Sequence, residues 1–133
     1  MHLANTTLIV RDYDAAIRFF VDALGFELVE DAPSTTDDGR PKRWVVVRPP
    51  GAETGLLLAL ADGDQQEAAV GRQWSGRVGL FLHVDDFDAA HRHMLEHGVT
   101  FDEAPRDEPY GRVAVFRDLE GNQIGRASCR ERV

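Results

Sequence analysis

The side chains that could do chemistry in this chain are few: five histidines, one cysteine, and some well-placed aromatics and arginines. His83 stands in the run Val78–Val84, four residues after Gly79. Strand residues two apart share a face, so Gly79, Phe81 and His83 project the same way. An imidazole there can act as a general base, a ligand contact or a hydrogen-bond donor, which makes His83 the catalytic candidate. A strand histidine satisfied by backbone or water is the plainer alternative. His93 and His97 have the helical i, i+4 spacing that could share a metal, but Met94 follows His93 where the zinc-protease pattern has Glu. His2 and His91 look incidental. Nucleophilic chemistry has little to work with: there is no Gly-x-Ser-x-Gly elbow and no phosphate-cradling loop ending in Lys and Ser/Thr. The pairs Asp37-Asp38 and Asp85-Asp86 fall at loop and cap positions. The aromatics say more. Trp44 opens a strand, Trp74 lies in a connector and Tyr110 precedes a turn at Gly111, the kind of walls small-molecule pockets use. Arg43 or Arg112 could neutralise an anionic ligand. The ligand-contact candidates are therefore Trp44, His83, Tyr110 and Arg112.

The elements that must position these residues occur twice. Val10-Arg11-Asp12-Tyr13-Asp14-Ala15-Ala16 returns 74 residues later as Val84-Asp85-Asp86-Phe87-Asp88-Ala89-Ala90. The second copy then loses one residue, so that Gly25-Phe26 matches Gly98-Val99. Thr6–Val10 and Val78–Val84 are suited to strands. Asp12 or Asp14, and Asp86 or Asp88, are N-cap candidates. Ala16, Ile17, Phe20 and Leu24 form one apolar helix stripe, and Ala90, Met94 and His97 the other. Gly25 and Gly98 sit where a helix ends in the left-handed conformation. Strands are expected at Phe26–Glu30, Trp44–Arg48 and Gly55–Leu60 in the first unit. In the second they are expected at Thr100–Glu103, Arg112–Arg117 and from Gln123. Each unit thus reads β-α-β-β-β. Asp31–Arg43 reads as a long polar loop, and Ala61–Gly76 as a connector with a helical turn at Gln65–Val70.

Charge and length bound the function class. The chain has 133 residues and a formal net charge of −8, which argues against binding a nucleic-acid backbone. Apolar runs such as Gly55–Ala61 fall far short of the ~20 residues of a membrane span, and no basic-then-apolar leader opens the chain. A cytoplasmic protein without membrane partners is expected. The lone cysteine, Cys129, excludes an internal disulfide. It lies in Ile124–Val133, which reads as the in-frame translation of a sequencing-adapter oligonucleotide. Residues 124–133 are therefore expected to be a non-native, exposed tail that adds little to folding.

Val10-Arg11-Asp12-Tyr13-Asp14 leading to Phe19-Phe20 and Leu24-Gly25-Phe26 resembles the opening of a vicinal-oxygen-chelate (VOC) domain. So does Pro109-Tyr110-Gly111 followed by Phe116-Arg117-Asp118-Leu119-Glu120-Gly121-Asn122. That superfamily embraces glyoxalases, dioxygenases, fosfomycin-modifying enzymes and bleomycin-sequestering proteins. The resemblance implies an α+β fold of two βαβββ modules forming a curled mixed sheet around one cleft, often completed by a homodimer partner, here with its last strand truncated. Module one would span residues 1–60, the connector 61–76 and module two 77–123. The resemblance also implies a divalent metal held from the first and last strands. The first-strand positions here are Asn5 and Gly79, the last strand of module one offers only Leu56-Leu57-Leu58-Ala59-Leu60, and the remaining position falls at Gly125. An amide oxygen and two glycines make a poor donor set.

Two functions follow as expectations. One is a metal-free protein of the bleomycin-resistance type that binds a small molecule in its cleft, with no cofactor. The alternative is a metal-dependent lyase, isomerase or dioxygenase of the same superfamily, so the sequence leaves catalysis open.

Overall fold

A computed structural model describes residues 1–128, with Cys129 and the rest of the C-terminus outside the described residues. The chain divides after Gln73 into two compact units.

The first unit runs β1 (Asn5–Val10), α1 (Tyr13–Arg18) continued by a π-helical turn (Phe19–Ala23), β2 (Glu27–Thr35), β3 (Pro41–Arg48), β4 (Gly55–Leu60) and α2 (Asp64–Ala69). Its four strands form one sheet in the order β1-β4-β3-β2, with β1 and β4 parallel and the other neighbours antiparallel. Leu8, Val10, Val45, Val47 and Leu58 are fully buried together with Ala16 and Phe20 of the helix. The registers place Trp44, Val46, Leu57 and Ala59 on the other face. At the outer edge of β1, the Gln73 side chain accepts from the Ile9 N–H at 2.8 Å and donates to the Thr7 carbonyl at 2.6 Å.

The second unit repeats the plan with β5 (Val78–Val84), α3 (Phe87–Glu96), β6 (Arg106–Glu108), β7 (Gly111–Arg117) and β8 (Gln123–Ser128). The sheet order is β5-β8-β7-β6, again with the first and last strands of the module parallel. Met94, Phe116 and Ile124 are fully buried, and Phe87 nearly so. Each module is βαβββ, as the sequence repeat requires, and the class is α+β.

Asp12 and Asp86 are the two N-caps, accepting from the Ala15 and Ala89 N–H groups at 2.8 and 3.0 Å. At the other helix ends Gly25 and Gly98 adopt φ of 78° and 75°, which other residues adopt at a cost. The single-residue difference between the repeats is visible here. In the second module Val99 N–H closes onto the Met94 carbonyl at 3.0 Å, the bond that ends an α-helix with a glycine. In the first, Phe26 N–H reaches the Phe20 carbonyl at 2.9 Å, one residue further along. The extra residue is absorbed as the π-helical turn, the usual outcome of an insertion into an α-helix.

Three expectations are corrected. Asp31–Arg43 is not a loop: β2 and β3 pair from Glu27↔Arg48 to Thr35↔Pro41, and only the tip at residues 36–40 turns. The Thr100–Glu103 strand is reduced to a single bridge, Phe101↔Phe116, and the module's second strand lies at Arg106–Glu108. Finally, residues 124–128 are not a draped tail, since β8 pairs with β5 on one side and β7 on the other. Ladder bonds use backbone groups and ignore side-chain identity. Two neighbouring strands therefore recruit a segment with no strand pattern, and Ile124 supplies the buried contact. Residues 129–133 of the expected tail lie outside the described residues.

Candidate functional site

The segment expected as a polar loop, now the β2–β3 hairpin, supplies one wall of a cavity. At its tip Gly39 takes φ 86°, and the Thr36 N–H donates to the Arg40 carbonyl at 2.8 Å. Arg40 then turns back toward the sheet. Its Nη1 and Nη2 fork onto Asp62 at 3.1 and 2.9 Å, and its Nε lies 3.0 Å from Asp38 Oδ2. Asp62 follows β4, and its own N–H donates to the Gln66 side chain of α2 at 2.9 Å. The hairpin tip is thereby pinned to the β4–α2 junction, and the space beneath it is a cavity of about 350 Å³. Its apolar surface comes from Trp44, Leu57, Ala59 and Leu60, its polar rim from Tyr13, Asp37, Arg40, Lys42, Arg43 and Gln66. A volume of this size suits a small ligand.

The rim charges are largely neutralised in pairs. Arg43 is bidentate to Asp31 at 3.1 and 2.7 Å, lies 3.0 Å from Asp14, and stacks over the Tyr13 ring with its guanidinium carbon 5.0 Å from the centroid. The Tyr13 hydroxyl accepts from the Arg43 N–H at 3.2 Å. Hydrogen bonds from Arg43 hold the Asp31 carboxyl below its ordinary value; those from Thr36 and Arg40 do so for Asp38, and that from Arg40 for Asp62. The same partners raise both guanidiniums above their usual range, so all of these groups are ionised at neutral pH. Trp44 lines the cavity, and its Nε1–H donates to Glu30 at 3.0 Å.

The other sequence candidates lie in the second module. His83 is an exposed residue of β5, and its register with Ala127 and Val113 sets it on one face of the second sheet. Arg112 precedes Val113 and goes to the opposite face. There it pairs with Asp88, lies 3.2 Å from Asp107, and stands 5.4 Å over the Phe87 ring of α3. Tyr110 is exposed at the β6–β7 turn. Trp44 alone of the four candidates lines the cavity. His91, read as incidental, stands between Phe87 and Phe101, with ring centroids 5.9 and 4.5 Å away. His93 and His97 come together with ring centroids 4.2 Å apart, and the His97 Nδ1 lies 2.9 Å from the His93 carbonyl oxygen.

The positions implied for a family metal do not fit one. Asn5 is exposed at the start of β1, opposite Gly55. At Gly79 a Cβ would come within 1.7 Å of Trp74 Cδ2 and 2.1 Å of Cε2, so the indole covers that stretch of β5. The turn that folds Trp74 back has positive φ at both central residues, Ser75 (53°) and Gly76 (81°), and closes with the Arg77 N–H donating to the Trp74 carbonyl at 3.0 Å. A Cβ at Gly125 would lie 3.2 Å from both Phe81 and Val78. Among the described residues no group of three or more His, Cys, Asp and Glu converges as a metal requires.

Residues 2–125 match the family model described as Glyoxalase/Bleomycin resistance protein/Dioxygenase superfamily. An uncharacterized protein of Shewanella frigidimarina is 46% identical over 121 residues, covering 90% of this chain and 87% of its own length. UcmS2, a crystal structure, superposes with a TM-score of 0.79 at 30% identity, over 96% of this chain and 97% of that one. TnmS3, an antibiotic binding protein from Streptomyces sp. CB03234, does so with a TM-score of 0.75 at 33% identity, over 98% and 97%. With its paired βαβββ modules and a family match over nearly its whole length, the chain belongs to the glyoxalase/bleomycin resistance protein/dioxygenase superfamily.

Proposed function

We propose that this protein binds a small planar molecule in the cavity under the β2–β3 hairpin and releases it unchanged. The observation that carries this reading is the cavity itself, about 350 Å³, lined by Trp44 and leucines, with a rim whose two arginines are each paired with aspartates. Such a rim orients a ligand without supplying a base or nucleophile. The similarity to TnmS3, an antibiotic binding protein, supports it from outside the chain. The reading takes the protein to work without a divalent metal. Its support is the chemistry of the family positions: one amide at Asn5, an indole-covered glycine at 79, leucines in β4 and a glycine at 125.

The test is calorimetric titration of wild type and Trp44→Ala with planar aromatic probes such as naphthalene and acridine derivatives, followed by mass spectrometry of the recovered probe. Binding should weaken by about tenfold or more in the variant, the scale of losing a buried aromatic contact, with the probe unaltered. Binding indifferent to Trp44, or a converted probe, overturns the reading. Elemental analysis checks the metal clause, and a stoichiometric metal in wild type that is absent from His83→Ala would bring the enzyme reading back.

A further inference from the structure

Resting on that reading, we infer that the ligand of the hairpin cavity is a planar aromatic monoanion, such as an aryl carboxylate, and that Lys42 receives its charge. Most polar groups of the rim are already engaged. Arg40 is shared between Asp38 and Asp62, and Arg43 between Asp31 and Asp14, so neither guanidinium has charge to spare. Lys42 differs. It stands on β3 between these two arginines and lines the cavity, and among the described residues its ammonium makes no hydrogen bond or ion pair. Its charge acts on Asp62, but both oxygens of that carboxylate are turned to Arg40.

The uncharged groups point the same way. Gln66 spends its carbonyl oxygen on the Asp62 N–H, leaving its NH₂ without an acceptor among the described residues. Tyr13 uses its oxygen as an acceptor for Arg43, leaving its O–H proton to donate. Lys42, Gln66 and Tyr13 are thus lining residues whose donors have no acceptor among the described residues. Against them stands one lining carboxylate without a partner among the described residues, Asp37, exposed at the hairpin tip. Trp44 Nε1 is not available to a ligand, because Glu30 holds it, so the indole offers only its ring. A ligand complementary to this set brings a flat apolar body for Trp44, Leu57 and Ala59, and acceptor oxygens carrying one negative charge for Lys42, Gln66 and Tyr13. The selectivity is notable in a chain whose own net charge is −8, which would repel anions from most of its surface.

Three probes of one shape test this by isothermal titration calorimetry: 2-naphthoate, the neutral 2-naphthalenemethanol, and 2-naphthylmethylammonium. The naphthoate should bind about tenfold more tightly than the alcohol, the scale of one charge-assisted contact, and the ammonium should bind most weakly. Lys42→Met should bring the naphthoate down to the level of the alcohol without changing the alcohol, and Lys42→Arg should keep the preference. Equal binding of acid and alcohol, a preference for the ammonium, or indifference to Lys42→Met overturns the inference. If the alcohol still binds in a Trp44-dependent way, the pocket reading survives that result. If none of the three binds, both fall together.

Discussion

In the first module the β2–β3 hairpin pairs over nine and eight residues, and its tip is tied back to the start of α2 through Arg40 and Asp62. In the second, the corresponding hairpin has a strand of only three residues, Arg106–Glu108, before β7 begins at Gly111. The first strands differ as sharply. Asn5 of β1 is exposed, whereas Gly79 of β5 lies beneath the Trp74 indole. The buried frames nonetheless correspond, with the same strand order, the same capping aspartates and the same glycine at each helix end. Beyond the π-helical turn of the first helix, the modules diverge in a hairpin length and in the filling of one strand position. One module carries a cavity; the other seats an aromatic ring at Gly79, where the family resemblance implies a ligand.

The frames are the first thing to attack. Phe20 and Met94 occupy matching helix positions and are both fully buried. Phe20→Ala should cost about 3–5 kcal/mol and Met94→Ala about 2–5 kcal/mol in urea unfolding. A loss under about 1 kcal/mol at either would break the equivalence of the two cores. The first-strand positions should respond unequally to the same residue. Gly79→His must evict the indole and should destabilise by about 1–3 kcal/mol, the range of overpacking. Asn5→His, at an exposed site, should stay within about 0.5 kcal/mol. Adding Trp74→Ala to Gly79→His should relieve the clash; thermal melts of the three variants decide it, and equal tolerance at both positions would erase the contrast. Next in size are the caps. Asp12→Ala and Asp86→Ala should each cost about 1 kcal/mol, and a clear inequality would show that the π-helical turn changes what the first helix requires of its cap.

The smallest effect is a difference in pH response. Asp31, Asp38 and Asp62 of the first module are held below the ordinary 3.8 by their hydrogen bonds to Arg43, Thr36 and Arg40. Their contribution to stability is complete above that value and is lost as pH falls through the lowered ones. Asp118 of the second module runs the other way. Burial raises its carboxyl above 3.8 despite bonds from the N–H groups of Glu120 and Asn122 and the Asn122 amide. Its folded form holds the proton more tightly, so its contribution is lost as pH rises through the raised value. Carboxyl carbon NMR titration should find the first three below 3.8 and Asp118 above it, and a common value for all four would remove the distinction.

The repeated frame was legible because burial imposes a period on the sequence. Helix stripes, capping aspartates and terminal glycines recur at fixed spacing, and the one-residue slip between the copies marks the π-helical turn. The cavity was not legible, since it depends on a polar hairpin. Ser, Thr, Pro and Asp hide the strand period there, and the ladder is backbone-made and braced by the Asp31–Arg43 pair. A signal was present in Asp38-Gly39, the dipeptide favoured at hairpin turns. Trp74 over Gly79 was half legible: the missing side chain could be read, but what fills its place needs the turn at Ser75-Gly76.

The Gln73 amide bonded along β1 has a consequence for how this protein behaves in a crowd. An edge strand with open N–H and C=O groups is a template for strands of other chains. One side-chain amide, with a donor and an acceptor in the geometry of a peptide group, occupies the adjacent pair at Ile9 and Thr7. A single residue thus does what a fifth strand or a covering helix would otherwise do, and it does so in the middle of the edge, where a foreign strand would need to find its register. The connector that carries the chain from one module to the next thereby occupies two of the backbone groups on which such pairing would depend.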